Sequence, residues 1–191
     1  MINQTDYLNA VSRLKSEFYE FKDGKIYNEI VPEQQLVLLK YQPIFSQNGI
    51  TKLTKEDYLS FLSFKNNCHW TGLERKGRNA THDMESLRDA LTILLNDSIS
   101  ISERLPRATA IVTGMGKAIA TSILLVAYPQ KYGVWNGTSE KALKILQIFP
   151  SERLSDGLKY KATNDVFQRL SSDLEIDLWT LDALWWHFLK A

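Results

Sequence analysis

The sequence predicts an all-α protein. Three observations carry this: apolar residues recur at three- and four-residue spacing along nearly the whole chain, capping residues stand at the heads of those runs, and no convincing stretch alternates apolar with polar. An apolar fraction of 44% and a charged fraction of 24% are ordinary for a globular domain, and 191 residues suffice to bury a core. No Pro- or Ser-rich linker divides the chain and no internal repeat appears, so residues 1–191 read as one domain.

Tyr7, Leu8, Val11, Leu14, Phe18 and Phe21 mark a first helix, ended by the Asp23-Gly24 turn. Lys25–Val31 leaves helix and strand open. Glu33–Tyr41 reads as a helix entered through Pro32, and Thr54 with Asp57 forms a capping box for a helix reaching Phe64. His82–Leu95 places Met84, Leu87, Leu91 and Leu94 on one face. Leu105–Val112, Lys117–Tyr128, Thr138–Ile148, Ala162–Leu170 and Asp177–Lys190 complete the helices. The aromatic tail, with Trp179, Trp185, Trp186 and Phe188 at helical spacing, reads as core.

Ile119–Tyr128, among the longest apolar runs, is too short to span a bilayer, and MINQTDYLNA has no secretory pattern. A cytoplasmic setting is the simplest reading. Cys68 is the only cysteine, which excludes an internal disulfide, a multi-cysteine zinc site and a four-cysteine iron–sulfur cluster. Cys68 reads as a small packed residue rather than a nucleophile. His69, His82 and His187 have no metal-ligand spacing, so neither metal nor cofactor is expected.

The net charge of +1 conceals an uneven distribution. Arg104, Arg107, Lys117, Lys131, Lys141 and Lys144 face only Glu140 within their stretch, and Lys65, Arg75, Lys76 and Arg78 face only Glu74. Two basic patches on a neutral chain suit a polyanion bound by one face, although solvated helix faces give the same pattern.

Between two of the helices lies Thr113-Gly114-Met115-Gly116-Lys117. Glycines one residue apart allow a tight reversal, and the following helix opens with backbone amides and a positive dipole end directed outward. A phosphate oxygen is the natural ligand of such a turn, with Lys117 as an added point charge. A bare tight connection explains the same residues.

From Leu105 to Leu146 the pattern G-x-G-K-A-x-A-x-x-I-L, then a proline, then V-W-N-G-T-x-x-K-A-L resembles the helix-hairpin-helix DNA glycosylase superfamily, which includes endonuclease III and the adenine-mismatch glycosylases. The resemblance implies a bilobal helical body, with a hairpin lobe over about residues 100–150 and DNA as the partner, held by phosphate contacts at the hairpin. The position that carries the family's lyase lysine is Ala118 here. A Schiff-base amine is therefore missing, and the resemblance implies base removal without strand cleavage. Lys117, next to it, corresponds to a position where the family often carries a basic residue.

Eighteen residues beyond Ala118 stands Asn136, at the position of the family's catalytic aspartate. An amide has no charge and accepts no proton at neutral pH. Three alternatives follow: Asn136 positions a water, an acid elsewhere replaces it, or the site is inactive. Glu140, one turn further on, and Asp83, at the head of another helix, are the candidate acids. Asparagine is also a favoured N-cap, which by itself explains Asn136.

Lys65–Arg78, KNNCHWTGLERKGR, interrupts the apolar helices with amides, aromatics and a basic run. Base-excision proteins hold an everted base between aromatic and polar side chains. Asn66, Asn67, His69 and Trp70 are candidates for that pocket, with Trp135 beside Asn136; Arg75, Lys76 and Arg78 are candidates for phosphates. A solvated loop anchored by Trp70 is the simpler alternative. The functional expectation is a monofunctional DNA glycosylase acting on a damaged or modified base everted from a duplex. Hypermodified phage bases such as glucosylated hydroxymethylcytosine are one class that the resemblance suggests, in phage defence. The competing expectation is the same fold retained as a binding module for DNA or a modified base.

Overall fold

The computed structural model describes residues 2–190, which form α-helices and one 3₁₀ segment with no strand among them. Helix α1 (Gln4–Lys22) starts where the Asn3 side chain accepts the Thr5 amide and stops at Asp23. The undecided stretch is helix α2 (Lys25–Ile30), where Tyr27 meets the edges of Phe18 and Phe21 and so ties the segment to α1. α3 (Gln34–Tyr41) and α4 (Gln47–Ile50) lead to α5 (Lys55–Leu62), which opens on the expected Thr54–Asp57 capping box.

The polar segment from Lys65 is not an open loop. It is a series of short turns, α6 (Phe64–Asn67), α7 (Leu73–Gly77) and the 3₁₀ segment Arg78–His82. α8 (Met84–Leu94), α9 (Ile101–Ile111), α10 (Lys117–Ala127), α11 (Gly137–Ile145), α12 (Asp156–Leu174) and α13 (Leu178–Phe188) follow.

Helix α9 begins four residues before the expected Leu105 and carries Pro106 in its interior. Proline has no amide for the Ser102 carbonyl one turn back, an arrangement that ordinarily weakens a helix. Here Gly157, the second residue of α12, lies against that carbonyl: a Cβ at Gly157 would stand 1.8 Å from Ser102 O. The absent side chain lets α9 and α12 meet backbone to backbone. α12 itself starts at Asp156, six residues before the expected Ala162.

Every residue from Ile119 to Ala127 in α10 is buried. A helix apolar on all sides belongs in the interior, and its two hydroxyls are satisfied locally, Thr121 donating to Lys117 O and Ser122 to Ala118 O, each at 2.8 Å. α13 packs against α1, α2, α11 and α12. Trp179, Trp185 and Phe188 are core as expected, whereas Trp186 is only half-buried. No helix among the described residues is long and apolar enough to cross a membrane.

Candidate functional site

The turn between α9 and α10 is built by its first glycine. Gly114 has φ +99°, and a Cβ there would stand 2.7 Å from the Lys76 carbonyl, so the turn closes tightly onto the segment around α7. Met115 is buried and donates its amide to Val112 O, which anchors the turn from within, while Thr113 is exposed. Gly116 caps α10 without a side-chain hydrogen bond, and nothing lies within 4 Å of where its Cβ would be. The amides that open α10 therefore face outward at the positive end of the helix, an arrangement suited to an anion.

Lys117 folds back. Its Nζ lies 2.7 Å from Glu140 Oε2 and 3.8 Å from the centre of the Trp135 ring. Glu140 is fully engaged, taking Lys144 Nζ at 2.8 Å and Trp135 Nε1 at 3.1 Å as well. Partial burial pushes the Glu140 carboxyl up, but its hydrogen bonds from Lys117 and Lys144 outweigh this and bring its pKa down to about 2. A carboxylate held so low and so fully bonded is a poor proton carrier, so Glu140 is a structural anion. Because its folded pKa is depressed from 4.5, its stabilising contribution is present above 4.5 and is lost as pH falls towards about 2. Glu140→Gln should flatten that part of an acid-unfolding curve; an unchanged acid limb would contradict the pairing.

The basic patch of the sequence is largely neutralised. Arg104 is completely buried, with Asp97 Oδ1 at 2.6 Å and the Tyr132 hydroxyl as partners, and Lys131 takes the other oxygen of Asp97. Arg107 pairs with Glu103 and Lys144 also with Glu152, which leaves Lys141 without an ion-pair partner among the described residues. In the second patch Arg78 pairs with Glu74, while Arg75 and Lys76 are exposed beside it.

Asn136 is the N-cap of α11. Its Oδ1 accepts the Thr138 amide at 2.8 Å and the Ser139 amide at 2.9 Å, and Ser139 Oγ returns a bond to the Asn136 amide. Both acceptor directions of Oδ1 are thus used, so Asn136 has no free lone pair with which to orient a water. Its Nδ2, a double donor, is the polar group left to offer. Asn136 is half-buried in the wall of a pocket of about 270 Å³ shared with Trp70, Thr71, Ala118, Ser122 and Trp186. The pocket lies where α10 and α11 begin and where α13 passes. Among the described residues no carboxylate or ammonium lines it.

Of Asn66, Asn67, His69 and Trp70, only Trp70 reaches this pocket. Asn67 is completely buried and consumed by its own loop: Oδ1 accepts the His69 and Trp70 amides, and Nδ2 donates to Phe61 O at 3.0 Å. Asn66 bonds the Ser60 carbonyl and hydroxyl. Amides in a polar run read as base-recognising groups in the sequence, but a chain of short helical turns leaves backbone groups that need partners, and these asparagines supply them. His69 is buried, stacked 4.4 Å from Trp179, with Nε2 2.9 Å from Asp182 Oδ2. Cys68 is half-buried, closes α6 in the left-handed conformation (φ 56°), and has its thiol pKa raised, chiefly by burial. Trp135 is buried, stacked on Tyr160 and bonded to Glu140, so it supports the start of α11 from inside rather than facing the pocket.

Asp83 caps α8, accepting the Ser86 amide and hydroxyl, which together lower its pKa. It lines a separate cleft of about 460 Å³ with Asn79, Val112 and Thr113, so it does not join Asn136. Asp182, which sequence reasoning missed, is the buried acid nearest this pocket by contact, bonded to Trp70, one of its walls. Its signal in the sequence is a lone charge inside LWTLDALWWHF, where an acid on an all-apolar helix demands a partner. The fold also brings His187 to Glu17 and Glu20, their ligand atoms lying within 4.8 Å of one another, although the sequence showed no ligand spacing. Glu17 and His187 stand 3.7 Å apart there. Comparison with known proteins adds no relative: no family model, no curated protein and no solved structure matches this chain.

Proposed function

We propose that this protein binds DNA through the Gly114–Lys117 turn, accepts an everted modified base in the pocket beside Asn136, and hydrolyses its N-glycosidic bond without cutting the strand. One observation supports the reading best: Ala118 and Asn136, the two positions that match the glycosylase motif, line the same pocket, together with two tryptophans. Of these, half-buried Trp186 offers aromatic surface to a base. In the hydrolysis a water oxygen bonds to the sugar C1′ while the C1′–N bond breaks, the base leaves with the electron pair, and the proton that the water loses ends on the departing base. Asn136 Nδ2 stabilises the departing base by donating a hydrogen bond to an acceptor on it, which suits a pyrimidine carbonyl. With alanine at residue 118, no amine is available to attack the sugar, and the abasic strand stays intact.

A second reading is favoured by a specific observation. Among the described residues no carboxylate lines the pocket, and Asn136 Oδ1 is used for capping, an arrangement also suited to a protein that binds a modified base without cutting.

Both readings use the hairpin, and one substitution tests it. Gly116→Ser supplies a capping hydroxyl for the very amides a phosphate would take, in open space, at an ordinary φ of −78°. The thermal midpoint should hold or rise while affinity for plain duplex falls and its salt dependence becomes shallower. Unchanged affinity and salt slope, or a natural protein that ignores DNA at low salt, would remove the turn from the interface.

A further inference from the structure

Behind the pocket wall lies a buried polar cluster. Trp70 Nε1 donates to Asp182 Oδ2 at 2.7 Å, and His69 Nε2 approaches the same oxygen at 2.9 Å. Asp182 and both aromatic residues are almost fully buried. His69 lies flat on Trp179 and edge-on to Trp70, and neither of its ring nitrogens has an aligned hydrogen bond among the described residues. The loop is fixed from the other side by Asn67 Oδ1, which holds the backbone amides of both His69 and Trp70. Trp186, one helical turn after Asp182 on α13, lines the pocket that Trp70 also lines.

We propose that Asp182, with His69 behind it, is a positioning residue that fixes the buried Trp70 indole as a rigid part of the pocket wall beside Trp186. Burying a carboxylate is unfavourable unless charge-accepting hydrogen bonds compensate it, and an apolar residue would pack this helix more simply. What the acid gains is direction: an indole N–H bonded to a carboxylate has one orientation, whereas an indole in an apolar slot is held by shape alone. A stacking surface helps a flat ring only when it does not have to be reoriented on binding. The ligand class is therefore a planar aromatic ring, with half-buried Trp186 as the stacking surface, Trp70 fixed behind it in the pocket lining and Asn136 as donor. This use of the wall rests on the base-pocket reading; the latch itself does not.

The test has two arms. In the ligand-free protein the indole N–H groups of the five tryptophans are resolved by ¹H–¹⁵N spectroscopy, with Trp70 assigned through Trp70→Phe. The Trp70 indole N–H should lie downfield and exchange slowly. Asp182→Asn, whose amide oxygen still accepts, should keep it protected, and Asp182→Ala should release it. A Trp70 N–H that exchanges freely in the natural protein refutes the latch without recourse to any variant, and so does one that Asp182→Ala leaves protected. In the second arm, affinity is compared between fully paired duplex and duplex carrying one 2-aminopurine opposite an abasic analogue. Asp182→Ala should reduce the preference for the second duplex by about tenfold or more, as expected when the stacking site loses its fixed backing, and Asp182→Asn should retain it. Loss of preference in Asp182→Asn equal to that in Asp182→Ala would overturn the positioning role in favour of charge. A natural protein with no preference at all, but with a protected Trp70 N–H, would refute the base-pocket reading and leave the latch standing.

Discussion

Gly157→Ala is expected to lower the thermal midpoint by about 10 °C or more. The added methyl would stand 1.8 Å from Ser102 O, 2.7 Å from the carbon of that carbonyl and 3.2 Å from Pro106 Cδ. Two of these atoms are backbone and the third is a proline ring, so no flexible side chain can give way. Either α9 and α12 separate along their contact or α9 bends at the carbonyl that Pro106 leaves without its helical partner. Overpacking typically destabilises by about 1–3 kcal/mol, and backbone-on-backbone contact belongs at the top of that range or beyond it. Set against a total stability of about 5–15 kcal/mol, that is a large fraction. Since α9 leads directly into the Gly114 turn, any folded remnant should also bind DNA poorly. Gly137→Ala is the matched control: no atom lies within 4 Å of its Cβ position at the start of α11, and alanine favours helix. Circular dichroism melting of the pair checks this, and a Gly157→Ala midpoint within a few degrees of the Gly137→Ala one would show that the helices part at little cost.

At Asn136, capping and chemistry separate cleanly. Aspartate is as good an N-cap as asparagine and can accept the same Thr138 and Ser139 amides, whereas alanine forfeits about 1 kcal/mol of helix capping. Asn136→Asp should therefore melt with the natural protein and Asn136→Ala somewhat below it. Neither variant has an Nδ2 donor. If that donor assists the leaving base, both should lose base removal by about 10²–10³-fold, the usual consequence of deleting one preorganised donor. An Asn136→Asp variant that cuts faster than the natural chain would reverse the assignment, because it would show a pocket waiting for an acid. Mass spectrometry must accompany the assay, since deamidation at Asn136-Gly137 produces this very variant.

Local features of this structure were legible and long-range ones were not. The Thr54–Asp57 box, the Asn136 cap and the helical periods are set by residues within one turn of each other, and periodicity reports exactly that range. The early start of α9 and its interior Pro106 were not legible, because the α12 backbone packed against that turn belongs to Gly157, fifty-one positions along the chain from Pro106 and invisible to any local window. The charge count also misled. Six bases against one acid looked like a free basic face, but Asp97 and Glu152, outside the counted stretch, and Glu140 within it take most of that charge. In the Lys65–Arg78 segment residue character pointed to a pocket, yet of Asn66, Asn67, His69 and Trp70 only Trp70 lines it, because short helical turns consume the neighbouring amides for their own backbone. Asp182 went unnoticed for the opposite reason: its partners lie more than a hundred residues away, and a single acid in an apolar helix advertises a need without naming who meets it.

The central claim is that this pocket removes a base, and abasic-site formation tests it most directly. The natural protein is incubated with duplexes carrying damaged, methylated, hydroxymethylated or glucosylated bases, and abasic sites are revealed by alkali or by an aldehyde-reactive probe. The account predicts alkali-labile sites on at least one modified duplex, an uncut strand before alkali, and no product from Asn136→Ala. Tight, base-dependent binding with no abasic product on any duplex would contradict it and identify a reader instead.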